Sequence, residues 1–287
     1  VLPTYPEPPA EVLPMFAENR VHQRTSGNPY PNPVVLQVCR EKKVEKSYRC
    51  ITLENEYLKL EILPELGGRI YSALDKTTGY DFFYKQHVIK PALIGCLGSW
   101  ISGGLEFNWP FHHRASTFMP VDVFVERTAS QGVVVWLSEH DPIDRMKGMV
   151  GICLEPGQAI FETRMRLCNR TPLRHSFLWW ENTAVPVNEA YQIFFPPDVS
   201  YVQFHYKRSI TTYPVASNAL GVYNGIRYPQ DTDISMHKNT RQPTSYFCAP
   251  SQYDFFGGYD HGRQCGVVHV ANHHISPGKK LFTWAYN

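Results

Sequence analysis

From residue 48 onward the chain alternates apolar and polar positions with a period of two. Ile51 and Leu53, then Leu58, Leu60 and Ile62, lie on either side of Glu54-Asn55, which reads as two half-buried strands joined by a turn. Gly67-Gly68 leads into a third strand over 69–74, closed by the turn-forming residues 75–79. The same patterning predicts strands over 121–126, 132–138, 149–154, 159–167, 176–181, 193–195, 199–203, 246–249, 265–270 and 280–284. Turn residues such as Glu155-Pro156-Gly157-Gln158 separate them. Helical periodicity is confined to one short stretch, 9–19. Many short strands in 287 residues predict an all-β fold of two large antiparallel sheets packed face to face. The proline-rich residues 1–47 read as an extended arm packed on the core, and residues 48–287 as one body.

Charge and cysteines narrow the classes. A net charge of +2 and the mixed-sign run Arg40-Glu41-Lys42-Lys43-Val44-Glu45-Lys46 give no nucleic-acid footprint. No apolar run approaches the roughly 20 residues of a membrane span, and the first residues lack the basic head and apolar stretch of a signal peptide. Seven scattered cysteines without a CxxC pair favour a reducing compartment, the cytoplasm, over a disulfide or zinc framework. One glycosylation sequon, Asn169-Arg170-Thr171, sits in strand-like flanks. A serine-nucleophile elbow, a phosphate loop and a dinucleotide fingerprint are missing, so no cofactor is expected.

The densest chemistry lies between Trp100 and Asp122. Glu106, Asn108, His112, His113 and Arg114 alternate with Trp100, Phe107, Trp109 and Phe111, after the glycine pair Gly103-Gly104. Titratable groups among flat apolar faces make a sugar site. Adjacent histidines on a strand point to opposite faces, so one of the two is expected to face the site, and joint metal chelation with Glu106 is disfavoured. A second cluster, Trp179-Trp180-Glu181-Asn182, puts a carboxyl beside two indoles, an environment that can poise it as an acid; core packing with an ion pair is the alternative. Arg69 either reaches a ligand hydroxyl or pairs with Glu65. His269, in mid-strand, is a candidate to face the groove, whereas His273 and His274 read as surface turn.

Residues 63–70 and 75–79 resemble the early strands of galactose-mutarotase-like domains. Lys90-Pro91-Ala92, Gly103-Gly104-Leu105-Glu106-Phe107-Asn108, Phe111-His112-His113-Arg114, Trp179-Trp180-Glu181-Asn182 and residues 277–284 are similar to one branch of that superfamily, the DUF5107-type domains often followed by tetratricopeptide repeats. The resemblance implies a β-supersandwich that binds a mono- or oligosaccharide in a groove on one sheet, with repeats lying outside this chain. In mutarotases a histidine protonates the ring oxygen and a glutamate removes the anomeric proton. His112 or His113 stands where that histidine belongs, but Glu181-Asn182 replaces the second histidine motif and no late glutamate matches the base. The departure favours a glycoside hydrolase in which Glu106 and Glu181 are the acid/base carboxyls, assisted by His112. Arg69, Trp100, Asn108, Trp109, His113, Trp180, Asn182 and His269 would then bind the sugar. An aldose 1-epimerase and a non-catalytic carbohydrate-binding module are the alternatives.

Overall fold

The computed structural model describes residues 1–5, 42–90, 101–110, 114, 116–117, 119–141, 145–205, 209–217, 220–223, 226–228, 231–241 and 243–284. The chain divides into two units, Val1–Val185 and Pro186–Asn287. In the first, β1 (Leu2–Thr4) pairs antiparallel with β2 (Val44–Lys46). Next come β3 (Ile51–Glu54), β4 (Leu58–Leu63), β5 (Arg69–Asp75) and β6 (Leu105–Asn108). They are followed by β7 (Asp122–Arg127), β8 (Val133–His140), β9 (Met146–Leu154), β10 (Glu162–Asn169) and β11 (Trp180–Thr183). Five strands form one sheet in the order β11-β6-β5-β4-β3, and four form another, β10-β9-β8-β7.

The period-two residues are what join these sheets. Leu58, Leu60 and Ile62 of β4, Ile70 of β5, and Leu105 and Phe107 of β6 share one core with Val135, Leu137, Val150, Ile152 and Leu154 of β8 and β9. Alternating side chains fall on one face of a strand, so each strand gives every second residue to this layer. The β3–β4 turn is held by Asn55, whose Oδ1 accepts the amides of Tyr57 (2.9 Å) and Leu58 (2.8 Å). Its Nδ2 donates to the carbonyls of Glu155 and Gln158. The Gly157 amide bonds Glu56. These ties hold the β9–β10 turn out to residue 158, and β10 begins at Glu162 rather than at the expected 159.

The second unit contains β12 (Tyr191–Phe194), β13 (Tyr201–Phe204), β14 (Ile210–Thr212), β15 (Leu220–Tyr223) and β16 (Ile226–Tyr228). It continues through β17 (Thr244–Cys248), β18 (Phe255–Asp260), β19 (Cys265–Val270) and β20 (Lys280–Thr283). Its sheets run β12-β18-β19 and β14-β13-β17-β20, with β15-β16 as a separate pair. Phe195, Val199, Val202, Phe204, Ala216, Ile234 and Tyr246 form its core. The expected helix at 9–19 lies outside the described residues. Among the described residues no helix is long and apolar enough to cross a membrane, and the five described cysteines are free thiols.

Candidate functional site

The register of β6 against β11 decides which polar groups meet. Asn182 lies opposite Glu106, Trp180 opposite Asn108, and Glu181 opposite Phe107. Directly opposed residues of an antiparallel pair project from the same face. Phe107 is a core residue, so Glu181 shares the inner face and Glu106, Asn108, Trp180 and Asn182 share the outer one. On β5, Ile70 pairs with Leu105, which puts its neighbour Arg69 on the outer face as well.

Glu106 is 2% exposed and is surrounded by donors. Its Oε1 accepts Thr117 Oγ1 at 2.5 Å and lies 3.7 Å from Arg69 Nη2. Its Oε2 accepts Asn108 Nδ2 at 3.2 Å and Asn182 Nδ2 at 3.3 Å. Arg69 is consumed in the same network. Its Nη1 donates to the carbonyls of Ile101 (2.7 Å) and Gly103 (2.8 Å), Nη2 to Thr117 Oγ1 (3.0 Å) and Nε to Leu66 (3.4 Å). Burial lowers the Arg69 guanidinium to about 10, an effect opposed by Glu106 and reinforced by Arg114; it is still a cation at neutral pH. The expected reach of Arg69 to a ligand hydroxyl is therefore replaced by a buried ion pair that fixes backbone.

Arg114 closes the layer. Its amide donates to Asn108 Oδ1, Nη2 to the Gly67 carbonyl, and Nη1 lies 3.4 Å from Glu139 Oε2. Gly67 adopts φ +70°, and a Cβ there would stand 2.5 Å from the Thr117 carbonyl oxygen, so the Gly67-Gly68 turn is required for this contact. Arg114 and Thr117 carry much of the network, yet neither drew a role from the sequence. Arg114 was visible only as part of a motif, and nothing local marks Thr117.

Other expected residues fall elsewhere. Trp109 is 2% exposed, stacked on Trp179 (centroids 5.8 Å apart, planes at 18°) with the Arg114 guanidinium 4.2 Å from its ring centre. It is core, not a platform for a sugar. Glu181 accepts Thr163 Oγ1 of β10 at 2.5 Å, a contact made on the inner face. The sheet thus separates Glu106 from Glu181, and the carboxyl pair proposed for glycosidic cleavage does not line one cleft. Trp180 and Asn182 are half-buried. His269 belongs to the other unit, half-buried on β19 with its ring 5.7 Å from that of Phe256. Trp100, His112 and His113 lie outside the described residues. Among the described residues no group of three His, Cys, Asp or Glu is placed to hold a metal ion.

Among the described residues, the Asn182 amide gives one N–H to Glu106, leaving its carbonyl oxygen and second N–H. Glu106 sits beneath as a fixed acceptor, and Trp180 stands two residues along the same face of β11, about 7 Å away.

The family model described as Domain of unknown function (DUF5107) matches residues 26–287. A TPR-domain containing protein from Parabacteroides distasonis ATCC 8503 is similar at 24% identity and a TM-score of 0.72, over 86% of this chain and 40% of that one. This chain thus spans about two-fifths of that protein's length. HI1317 is similar at 10% identity and a TM-score of 0.53, over 84% of this chain and 78% of its own. The b2544 protein of Escherichia coli K12, provisionally named an aldose 1-epimerase, is similar at 10% identity and a TM-score of 0.51, over 82% and 80%. These likenesses show the fold: the all-β, galactose mutarotase-like class expected from the sequence.

Proposed function

The chain belongs to the DUF5107 family, and from that premise we propose that it acts on the anomeric centre of an aldose as an aldose 1-epimerase-type enzyme rather than as a glycoside hydrolase. The observation that carries this reading is the β6–β11 register. It puts Glu181 on the inner face and leaves Asn182, braced by Glu106, on the outer one. Cleavage by paired carboxyls needs both on one cleft, roughly 5–9.5 Å apart with the sugar between them. Ring opening needs no such pair. Solvent water takes the O1 proton as another reaches the ring oxygen and the bond from C1 to that oxygen breaks; reclosure on the other face of C1 returns both protons. In the proposal His112 or His113 transfers the proton to the ring oxygen, Asn182 and Trp180 contact the sugar, and Glu106, Arg69 and Thr117 fix that contact. The similar Parabacteroides protein contains a TPR domain, and we place this chain beside such repeats in its own full-length protein. The free thiols support a cytoplasmic setting.

The near-complete burial of Glu106 favours a second reading, a sugar-binding module without turnover. Polarimetry on freshly dissolved α-D-aldoses, run beside calorimetry on the same sugars, separates the two. Accelerated mutarotation that scales with protein and disappears in a His112→Ala, His113→Ala double variant supports the enzyme. Binding heat without acceleration moves the protein to the module. Release of a reducing sugar from oligosaccharides returns it to hydrolysis.

A further inference from the structure

Lys280 opens β20 and is exposed. It lies directly opposite Phe247 of β17, which lies opposite Gln203 of β13. Tyr246, of the other parity, belongs to the core of the second unit, so Lys280, Phe247 and Gln203 share the outward face. There the Lys280 Nζ stands 5.5 Å from the Phe247 ring centre. His205 meets the same ring with centroids 5.2 Å apart and planes at 89°, and its Nδ1 lies 3.2 Å from Ser245 Oγ. None of the strands β13, β14, β17 and β20 contains an aspartate or glutamate. Besides Lys280, the titratable groups on this face are His205 and Tyr201. Elsewhere in the chain carboxylates hold the lysines: Lys76 Nζ lies 2.7 Å from Glu54 and Lys85 Nζ 2.9 Å from Asp81. Lys280 has an aromatic ring in that place, and loss of water around its head group lowers the ammonium below its ordinary value. Burial and the Lys280 charge lower the His205 imidazole in turn. Both shifts enlarge the neutral fraction of these bases at pH 7.

We infer that Lys280 is a carbonyl-reactive amine that captures a small aldehyde, the open-chain form of an aldose included, as an imine on the outward face of the second unit. A lysine desolvated against an apolar surface is activated in this way, because the free amine and not the ammonium is the nucleophile. The amine adds to the carbonyl carbon, and one of its protons passes to the carbonyl oxygen to give a carbinolamine. That hydroxyl then leaves as water with the second nitrogen proton, and the C=N bond forms. No oxidant or reductant is consumed. His205, against the same ring, is the base available to move these protons. Lys280 and Phe247 are exposed on the surface of a sheet, so an aldehyde reaches the amine from solvent. The site uses no residue of the first unit's network and does not rest on the proposed epimerase activity.

The test is reductive trapping. The full chain is incubated with glyceraldehyde and cyanoborohydride at about pH 7, and the early adducts are mapped by peptide mass spectrometry. Lys280 should be labelled at least about tenfold faster than Lys76 and Lys85, the difference that about one pKa unit makes in free amine. The ratio should shrink towards unity as the pH is raised to about 10, where ordinary lysines lose their protons as well. Phe247→Ser returns water to the amine and should bring Lys280 to within about threefold of Lys76. Equal labelling of the three lysines at pH 7, a preference for Lys280 that does not change with pH, or a Phe247→Ser chain that keeps the full preference overturns the inference. Should that variant fail to fold, the pH dependence of the wild-type ratio decides alone: a ratio that falls on raising the pH supports the reactive amine and a flat one refutes it.

Discussion

Arg69→Met removes the cation from the buried network and leaves Glu106 where it is. Both side chains are 2% exposed, so solvent screening offers little relief. Breaking a buried pair from one side costs about 3–5 kcal/mol, because the remaining charge loses its compensation. The carbonyls of Ile101 and Gly103 and the Thr117 hydroxyl lose their donor in the same stroke, which puts the variant at the upper end, about 5 kcal/mol. That is a large share of a typical domain's 5–15 kcal/mol. Guanidinium unfolding followed by tryptophan fluorescence should show a much lower midpoint. Adding Glu106→Gln removes the orphaned charge, and the double variant should recover at least ~1.5 kcal/mol relative to additivity of the single changes. An Arg69→Met loss below ~1 kcal/mol, or strict additivity in the cycle, would show that the pair is not a coupled buried unit and refute the reasoning.

Gly148→Ala should destabilise the chain by about 1–3 kcal/mol, since the new Cβ would overlap the Trp109 indole; Trp109→Phe in the same chain should give part of this back in denaturant midpoints. Burial pushes the Asp81 carboxyl up, but Ser72, Lys85 and the amides of Ala73 and Phe83 outweigh it and hold it below the usual range. Its stabilising contribution is therefore full above about pH 4 and is lost as pH falls through its folded value. Asp81→Asn should flatten that acid limb, and an unchanged limb would count against the network. Burial also holds the His237 imidazole down, so its contribution is present above about pH 6.5 and fades as pH falls; midpoints of His237→Gln measured from pH 7.5 to 5 should decline less steeply than those of wild type.

Much of the fold was legible because the core layer is written in alternation. Leu58, Leu60 and Ile62 announced β4, and the Glu54-Asn55 turn fell where Asn55 accepts two amides. The site was less legible because its geometry depends on parity. Placing a strand over 176–181 does not say whether Glu181 or Asn182 faces Glu106, and a shift of one residue reverses every side chain. Pairing with β6 settles it, and that partner was itself hidden: none of the expected strands covers residues 105–108, yet Leu105–Asn108 lies between β5 and β11. Trp109 looked like a stacking surface because composition does not show the gap that Gly148 leaves for its ring. Arg69 was read as reaching a ligand hydroxyl or pairing with Glu65, whereas three of its partners are the carbonyls of Leu66, Ile101 and Gly103, which no sequence pattern displays.

The most direct test compares Asn182→Ala with Glu181→Gln in anomer-exchange NMR on an aldose that the wild type turns over. The account predicts that Asn182→Ala loses at least about 10-fold in kcat/KM, the equivalent of about 1.4 kcal/mol of contact with the sugar. It predicts that Glu181→Gln stays within about threefold of wild type. A collapse of activity in Glu181→Gln with Asn182→Ala intact would place the working face on the other side of the sheet.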